Sequence, residues 1–68
     1  MISVNSSDLS AVGYDSASKT LTIEFNSGGL YEYYGVPQNI YEGLMSSPSK
    51  GQYFHRFIKE SYNTTKLR

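Results

Sequence analysis

The segment Thr20–Phe25, with the sequence TLTIEF, decides the fold because polar and apolar side chains alternate along it without a break. A period of two places successive side chains on opposite faces of a β-sheet. Leu21, Ile23 and Phe25 are therefore predicted on one face, with the Thr and Glu side chains on the other. The segment is thus predicted to be a strand that is buried on one side only.

The residues on either side of this segment predict two further strands. Residues 9–14 contain apolar side chains and precede a Ser-rich loop. Residues 30–34 follow a turn whose Asn and Gly residues tolerate positive φ. In the later strand Tyr31 and Tyr33 share a face, and the charge of Glu32 favours the tyrosine face as the inner one. A β-hairpin is the simplest interpretation of the last two strands.

After Gly35 the hydrophobic period becomes helical. Pro37 fits the first turn of a short helix, and Gly43 within that helix costs about 1 kcal/mol relative to Ala. We therefore expect this helix to depend on packing against the sheet. Its apolar stripe consists of Ile40, Tyr41, Leu44 and Met45.

A second helix is predicted to follow the Ser46-Ser47-Pro48 break. Ser49 and Gln52 have the spacing of a capping box, and the helix is expected to run to about Tyr62. Its predicted core side chains are Phe54, Phe57, Ile58 and Ser61, and its predicted solvent side chains are Gln52, His55, Arg56 and Lys59.

These elements predict a single domain over residues 1–68, of the α+β class. The expected architecture is a three-stranded antiparallel meander followed by two helices packed on one face, in the order β-β-β-α-α. Residues 1–8 are polar and turn-forming, so we expect them to be irregular. A chain of 68 residues buries only about 60% of its surface on folding, and homo-oligomerisation would supplement its thin core.

The composition excludes several classes of protein. There is no Cys for a disulfide, a thiolate zinc site or a thiol nucleophile, and a single His cannot form a multi-histidine metal site. We therefore expect no metal and no cofactor. No apolar run reaches ten residues, so we expect no membrane span and no signal peptide, and a cytoplasmic protein.

The sequence gives little support to an enzyme. His55 is the only side chain whose ordinary pKa lies near neutrality, and no spacing supplies it with a nucleophile and an orienting group. Glu24 and Glu32 resemble a carboxylate pair across the hairpin, but two exposed charges are the simpler interpretation. No catalytic residue is predicted.

The chain resembles the KTSC domain, a short module at the C-terminal end of some lysyl-tRNA synthetases that also occurs alone in bacterial and phage proteins. The resemblance covers nearly the whole chain and is strongest in the order Tyr31-Glu32-Tyr33, Val36-Pro37 and Ser49-Lys50-Gly51-Gln52-Tyr53-Phe54. His55 and Pro48 depart from the pattern expected of the family. The resemblance implies RNA binding and no enzymatic activity.

The charges are divided between the two halves of the chain. Residues 1–34 carry one Lys against four carboxylates, whereas residues 35–68 carry five Lys and Arg against two. The start of the second helix, at Ser49, Lys50 and Gly51, would offer free backbone N–H groups to a phosphate. The alternative is an ordinary capped helix with a solvated lysine.

Seven tyrosines supply surfaces on which nucleobases can stack. Tyr31 and Tyr33 are predicted in the core, while Tyr34, Tyr53 and Tyr62 lie at element boundaries and are better placed for stacking or for a protein interface. The predicted solvent side chains of the second helix, which include Arg56, could bind a ligand. A solvated helix face is the simpler interpretation.

The number of basic groups limits the size of a polyanionic partner. A useful duplex footprint takes roughly six or more basic contacts, and the whole chain has six Lys and Arg, which argues against duplex DNA. The sequence therefore predicts a non-catalytic module that binds RNA or a nucleotide-like phosphate ligand, as a monomer or an oligomer. The alternatives are a protein assembly module and a phage protein that sequesters a host nucleotide signal. The predicted ligand-binding residues are Ser49, Lys50, Gly51, Gln52, Tyr53, Arg56, Lys59 and Tyr34.

Overall fold

The computed structural model describes residues 1–68 as one antiparallel sheet with two helices on one of its faces. The strands are β1 (Ile2–Ser3), β2 (Leu9–Asp15), β3 (Thr20–Phe25), β4 (Leu30–Tyr34) and β5 (Thr64–Lys66), and the helices are α1 (Gln38–Ser46) and α2 (Lys50–Phe57). The strands neighbour one another in chain order, and both helices lie between β4 and β5 in the sequence. Neither helix has the length and apolar character needed to cross a membrane.

The inner face of the sheet is the one that the alternation predicts. Ile23 lies between Val12 and Tyr31 on the neighbouring strands, and Leu21 is opposite Tyr33. The positive φ of the predicted turn falls on Gly28, at +100°. The helices cover this face and close a core of nine residues: Leu9, Val12, Leu21, Ile23, Tyr33, Val36, Leu44, Phe54 and Ile58.

The sheet has five strands, so the prediction of three strands is wrong. β1 pairs with β2 inside the segment expected to be irregular, and β5 pairs with β4 through Tyr31 and Lys66. Strands of two and three residues are too short to show an alternating pattern. Hydrogen bonds to an existing edge, and not the side chains, make these residues strands.

The second helix ends at Phe57 and does not run to Tyr62. The backbone N–H groups of Ile58 and Lys59 both donate to the carbonyl of Phe54, which closes the helix, and the chain then turns back towards β5. A helix that ended at Tyr62 would leave Asn63 alone to connect it to β5. The shorter helix also corrects two predicted core side chains, because Phe57 is 46% exposed and Ser61 is exposed.

Two tyrosines fix α1 to the sheet. The rings of Tyr14 and Tyr41 stack with centroids 4.6 Å apart, and the Tyr14 hydroxyl donates to the carbonyl of Val36 at 2.6 Å. On the side of α1 that faces α2, Gly43 lies against the Tyr53 ring, and a Cβ at this glycine would overlap the Tyr53 hydroxyl. The glycine therefore allows close approach of the two helices, which explains its place inside a helix.

Replacing Gly43 with alanine is expected to destabilise the protein. Alanine gains about 1 kcal/mol of helix propensity, but overpacking against Tyr53 costs about 1 to 3 kcal/mol. Urea unfolding of Gly43→Ala should show a net loss of stability, and Tyr53→Phe in the same chain should recover part of it. A Gly43→Ala protein more stable than wild type would contradict this packing.

The last residues of the chain are tied to the outer face of the sheet. The Arg68 guanidinium forms an ion pair with Glu24 and donates from Nε to the carbonyl of Gly28. Ser10 Oγ donates to Glu24 Oε1 at 3.1 Å. These hydrogen bonds, first that of Arg68 and then that of Ser10, hold the pKa of Glu24 below its ordinary value of 4.5. Glu24 is thus bound by Arg68 and Ser10, whereas Glu32 accepts a hydrogen bond from the Tyr34 hydroxyl. The two glutamates therefore have separate partners and do not form a carboxylate pair.

The Glu24 contacts should make stability depend on pH in the acid range. Because the folded-state pKa of Glu24 lies below 4.5, the contribution is complete above that pH and is lost as the pH falls through the folded-state value. The difference in unfolding free energy between wild type and Glu24→Gln should shrink as the pH falls to about 3. Glu60→Gln, at an exposed carboxylate without an ion-pair partner, is the matched control. Parallel curves for wild type and Glu24→Gln would contradict the contact.

Candidate functional site

A groove opens on the inner face of the sheet, where the short α2 leaves part of β3 and β4 uncovered. Its volume is about 320 Å³. The sheet, α2 and three connecting segments contribute its lining: Asp8, Phe25, Ser27, Tyr31, Tyr33, Phe54, His55 and Lys59.

Four aromatic rings form the floor of the groove. Phe54 packs edge-on against Phe25 at 5.3 Å and against Tyr33 at 5.4 Å, and Phe25 packs edge-on against Tyr31 at 5.5 Å between ring centroids. Tyr33 is buried, and burial raises the pKa of its hydroxyl above its ordinary value. Phe25 and Tyr31 are only half-buried and present ring surface to the groove. The floor is therefore a continuous aromatic surface that is open on one side.

Charged side chains stand around this floor. Lys59 lines the groove, and the ammonium of Lys66 lies 6.0 Å from the centroid of the Tyr31 ring. His55 also lines the groove, and its Nε2 is 3.5 Å from Oδ2 of Asp8, the one carboxylate in the lining. The rim thus combines two fixed positive charges and an imidazole with a single acidic acceptor.

The start of α2 differs from the predicted phosphate site. Ser49 precedes the helix but makes no side-chain cap; its N–H donates instead to the hydroxyl of Ser47, so the predicted capping box is wrong. Lys50 Nζ donates to the carbonyl of Ser47 at 3.1 Å. Gly51 is buried, and a Cβ there would lie 3.2 Å from the Asp8 carboxylate. A carboxylate of the chain itself therefore lies against the first turn of α2.

The other predicted site residues are distributed over different surfaces. Gln52 and Arg56 are exposed beside a shallow depression, and Arg56 forms no ion pair. Tyr53 packs against α1, where burial raises the pKa of its hydroxyl. Tyr34 lies in β4 next to the buried Tyr33, so its side chain is on the outer face of the sheet. Of the eight predicted residues, Lys59 alone lines the groove.

Sequence reasoning missed most of the groove for identifiable reasons. Tyr31 and Phe54 were assigned to the core, which is correct for their packing but overlooks the surface that stays open. Asp8 lies far from α2 in the sequence, and no local pattern links it to His55. The groove residues outside the predicted set, together with Lys66 beside it, are Asp8, Phe25, Ser27, Tyr31, Tyr33, Phe54, His55 and Lys66.

The arrangement can hold a flat ring and an anion together. An aromatic floor gives stacking energy to a planar group, and nearby ammonium groups attract a phosphate or carboxylate. No group of three or more His, Asp or Glu side chains comes together in the way that a metal ion requires. The groove offers ring surface, ammonium groups and hydrogen-bonding side chains to a molecule that enters it.

Comparison with known proteins adds to this geometry. The sequence pattern of the KTSC domain matches residues 5–62. The chain belongs to the KTSC domain family. The crystal structure of a KTSC domain protein from Yersinia pestis superposes with a TM-score of 0.94 at 36% identity, and covers 97% of this chain and 93% of that one. The five-stranded sheet with two helices is therefore a fold that this KTSC domain shares with a solved member of its family.

The relatives of this KTSC domain are of two kinds. A lysine–tRNA ligase of Trichormus variabilis is 52% identical over 54 residues, which are 79% of this chain and 10% of the ligase. A protein of Stutzerimonas stutzeri is 34% identical over 61 residues, which are 90% of this chain and 86% of that protein. The chain thus spans about a tenth of the length of the ligases that it matches, and nearly the whole length of its small relative.

Proposed function

We propose that this KTSC domain is a non-catalytic binding module for a nucleotide, either free or at an accessible position of single-stranded RNA. The observation that carries the proposal is the groove, in which half-buried Tyr31 and Phe25 offer ring surface beside the ammonium groups of Lys59 and Lys66. In proteins that bind single strands, each base stacked on an aromatic side chain contributes about 1 to 3 kcal/mol to the binding free energy. The base would lie on the rings, and the phosphate would face the lysines.

The charge around the groove suits a ligand with one or two phosphates. Lys59 and Lys66 form no salt bridge, so their charges are available to a ligand. Charged hydrogen bonds contribute about 1.5 to 3 kcal/mol each, so two lysines and a stacked base together supply about 4 to 9 kcal/mol, which corresponds to millimolar to micromolar binding. A duplex would need more basic contacts on one surface, and its paired bases could not reach the rings.

The dimensions of the groove also favour a small planar ligand. Its volume, about 320 Å³, is at the lower end of the range of small-molecule sites, roughly 300 to 1,000 Å³. Its open side would let an RNA strand continue in both directions from a bound nucleotide. Sequestering a nucleotide signal, one of the functions that the sequence suggests, would use the same groove.

The ligase relatives give the proposal a context. A lysine–tRNA ligase acts on a tRNA, and about a tenth of its length matches this chain. The proposal of an RNA contact by this KTSC domain is supported by the aromatic and basic groups of its own groove. Protein assembly remains the alternative, since Phe57 is 46% exposed and packs at a tilt against the Tyr53 ring, outside the groove.

Charge-removing substitutions test the proposal. Binding of nucleoside monophosphates and of a short single-stranded RNA is measured by isothermal titration calorimetry at low and moderate salt. We expect Lys59→Gln to weaken binding about tenfold, because it removes a charged contact with the phosphate. Tyr31→Ala should weaken binding by a similar factor through lost stacking.

Two control variants locate the binding surface. Lys19→Gln removes a positive charge from the turn between β2 and β3, outside the groove, and should bind like wild type. Arg56→Gln tests whether the ligand binds to the exposed face of α2 instead of the groove. It should have at most a small effect on affinity. The proposal is wrong if neither nucleotides nor RNA bind at low salt, or if Arg56→Gln abolishes binding while Lys59→Gln does not.

A further inference from the structure

We propose that the groove selects guanine among the nucleobases, with the Asp8 carboxylate accepting hydrogen bonds from the N1–H and N2–H₂ groups of the base. This inference rests on the proposed function and concerns the specificity of the same site. It follows from the position of Asp8, which supplies the one carboxylate in a groove whose other polar groups are a hydroxyl, an imidazole, an ammonium and phenols.

Two hydrogen bonds of its own backbone hold Asp8 in place. Its N–H donates to Ser6 Oγ at 3.2 Å, and its carbonyl accepts from the N–H of Asn26 at 2.8 Å. The second contact joins the Asp8 loop to the turn between β3 and β4. The carboxylate is therefore presented from an anchored position and not from a free loop.

The carboxylate itself keeps its capacity to accept hydrogen bonds. No N–H or O–H group of the chain donates to it, and His55 Nε2, at 3.5 Å, lies at the distance of an ion pair rather than of a hydrogen bond. The Asp8 side chain is 52% exposed. Oδ1 is thus free to accept from a ligand in the groove, and Oδ2, which lies beside Gly51 and His55, has lone pairs to which a second ligand donor can bind.

The donor patterns of the bases decide which one fits. A carboxylate only accepts, and it binds most strongly where two donors stand side by side. Guanine presents the N1–H and N2–H₂ pair on its Watson–Crick edge. Adenine and cytosine place an acceptor nitrogen beside their amino group, and uracil places carbonyl oxygens on both sides of its N–H. Each of these bases therefore offers the carboxylate one donor next to an acceptor atom that repels it.

The neighbouring groups agree with this orientation. Ser27 follows Asn26 in the turn that is hydrogen-bonded to Asp8, and its hydroxyl can donate to a carbonyl oxygen such as O6 of guanine. Lys59 and Lys66 lie beside the groove as partners for the phosphate. Acceptor and cations are therefore separate groups, as the two ends of a guanine nucleotide require.

Titration of this chain with GMP, AMP, CMP, UMP and IMP tests the inference. By calorimetry GMP should bind about tenfold more tightly than AMP, CMP or UMP, which is the discrimination expected of one bidentate contact. IMP lacks the N2 amino group and should bind more weakly than GMP. Asp8→Asn should weaken GMP binding and remove its advantage over AMP, because an amide offers one acceptor beside one donor and so matches adenine better than the two donors of guanine.

The matched control is Asp15→Asn, which changes an exposed carboxylate at the end of β2 and should keep the wild-type preference. Thermal melting of both variants establishes that they fold, and an exposed pair such as Asp8–His55 contributes little to folding. Equal affinities for GMP, AMP, CMP and UMP would overturn the guanine inference and leave the proposed function standing. If neither the five nucleotides nor a short single-stranded RNA binds, both fail.

Discussion

The pairing of β5 with β4 is the constraint on which the rest of this structure depends. Tyr34 N–H donates to the carbonyl of Asn63, and Leu67 N–H donates to the carbonyl of Leu30 at 2.7 Å, so the end of the chain is joined to the sheet along the whole of β4. To reach that edge the chain must leave α2 after Phe57. The short helix packs Phe54 against Phe25 and Tyr33 and leaves Phe25 and Tyr31 half-buried.

The candidate site lies over these half-buried rings. Leu9 and Ile23 are fully buried, whereas Phe25 and Tyr31, which lie opposite them on the neighbouring strands, are half-buried. Aromatic side chains tolerate this position because one part of each ring packs against its neighbours while another part remains available. The same rings thus serve as the end of the core and as the floor of the groove.

The sequence predicted the elements whose side chains show a clear period, and it failed where backbone pairing decides. The alternation of Thr20–Phe25 identified the inner face correctly, including Tyr31 and Tyr33, and the family was recognised. β1 and β5 are too short to carry a pattern, and the end of α2 is set by a partner strand distant in the sequence. The site prediction assumed a helix to Tyr62, so it grouped Lys59 with Gln52 and Arg56 on one helix face. In the structure Lys59 lies beyond the helix end and lines the groove, whose Asp8 comes from another part of the chain.

The most direct test of the account is to map a bound nucleotide on the folded chain. Amide chemical shifts of the ¹⁵N-labelled protein, followed by NMR during titration with GMP, report which surface responds. If the nucleotide binds in the groove, the largest changes will be at Ser27, Tyr31, His55 and Lys59, with Tyr34 and the residues of α1 unaffected. Changes confined to the exposed face of α2 around Gln52 and Arg56, with the groove residues silent, would contradict the account.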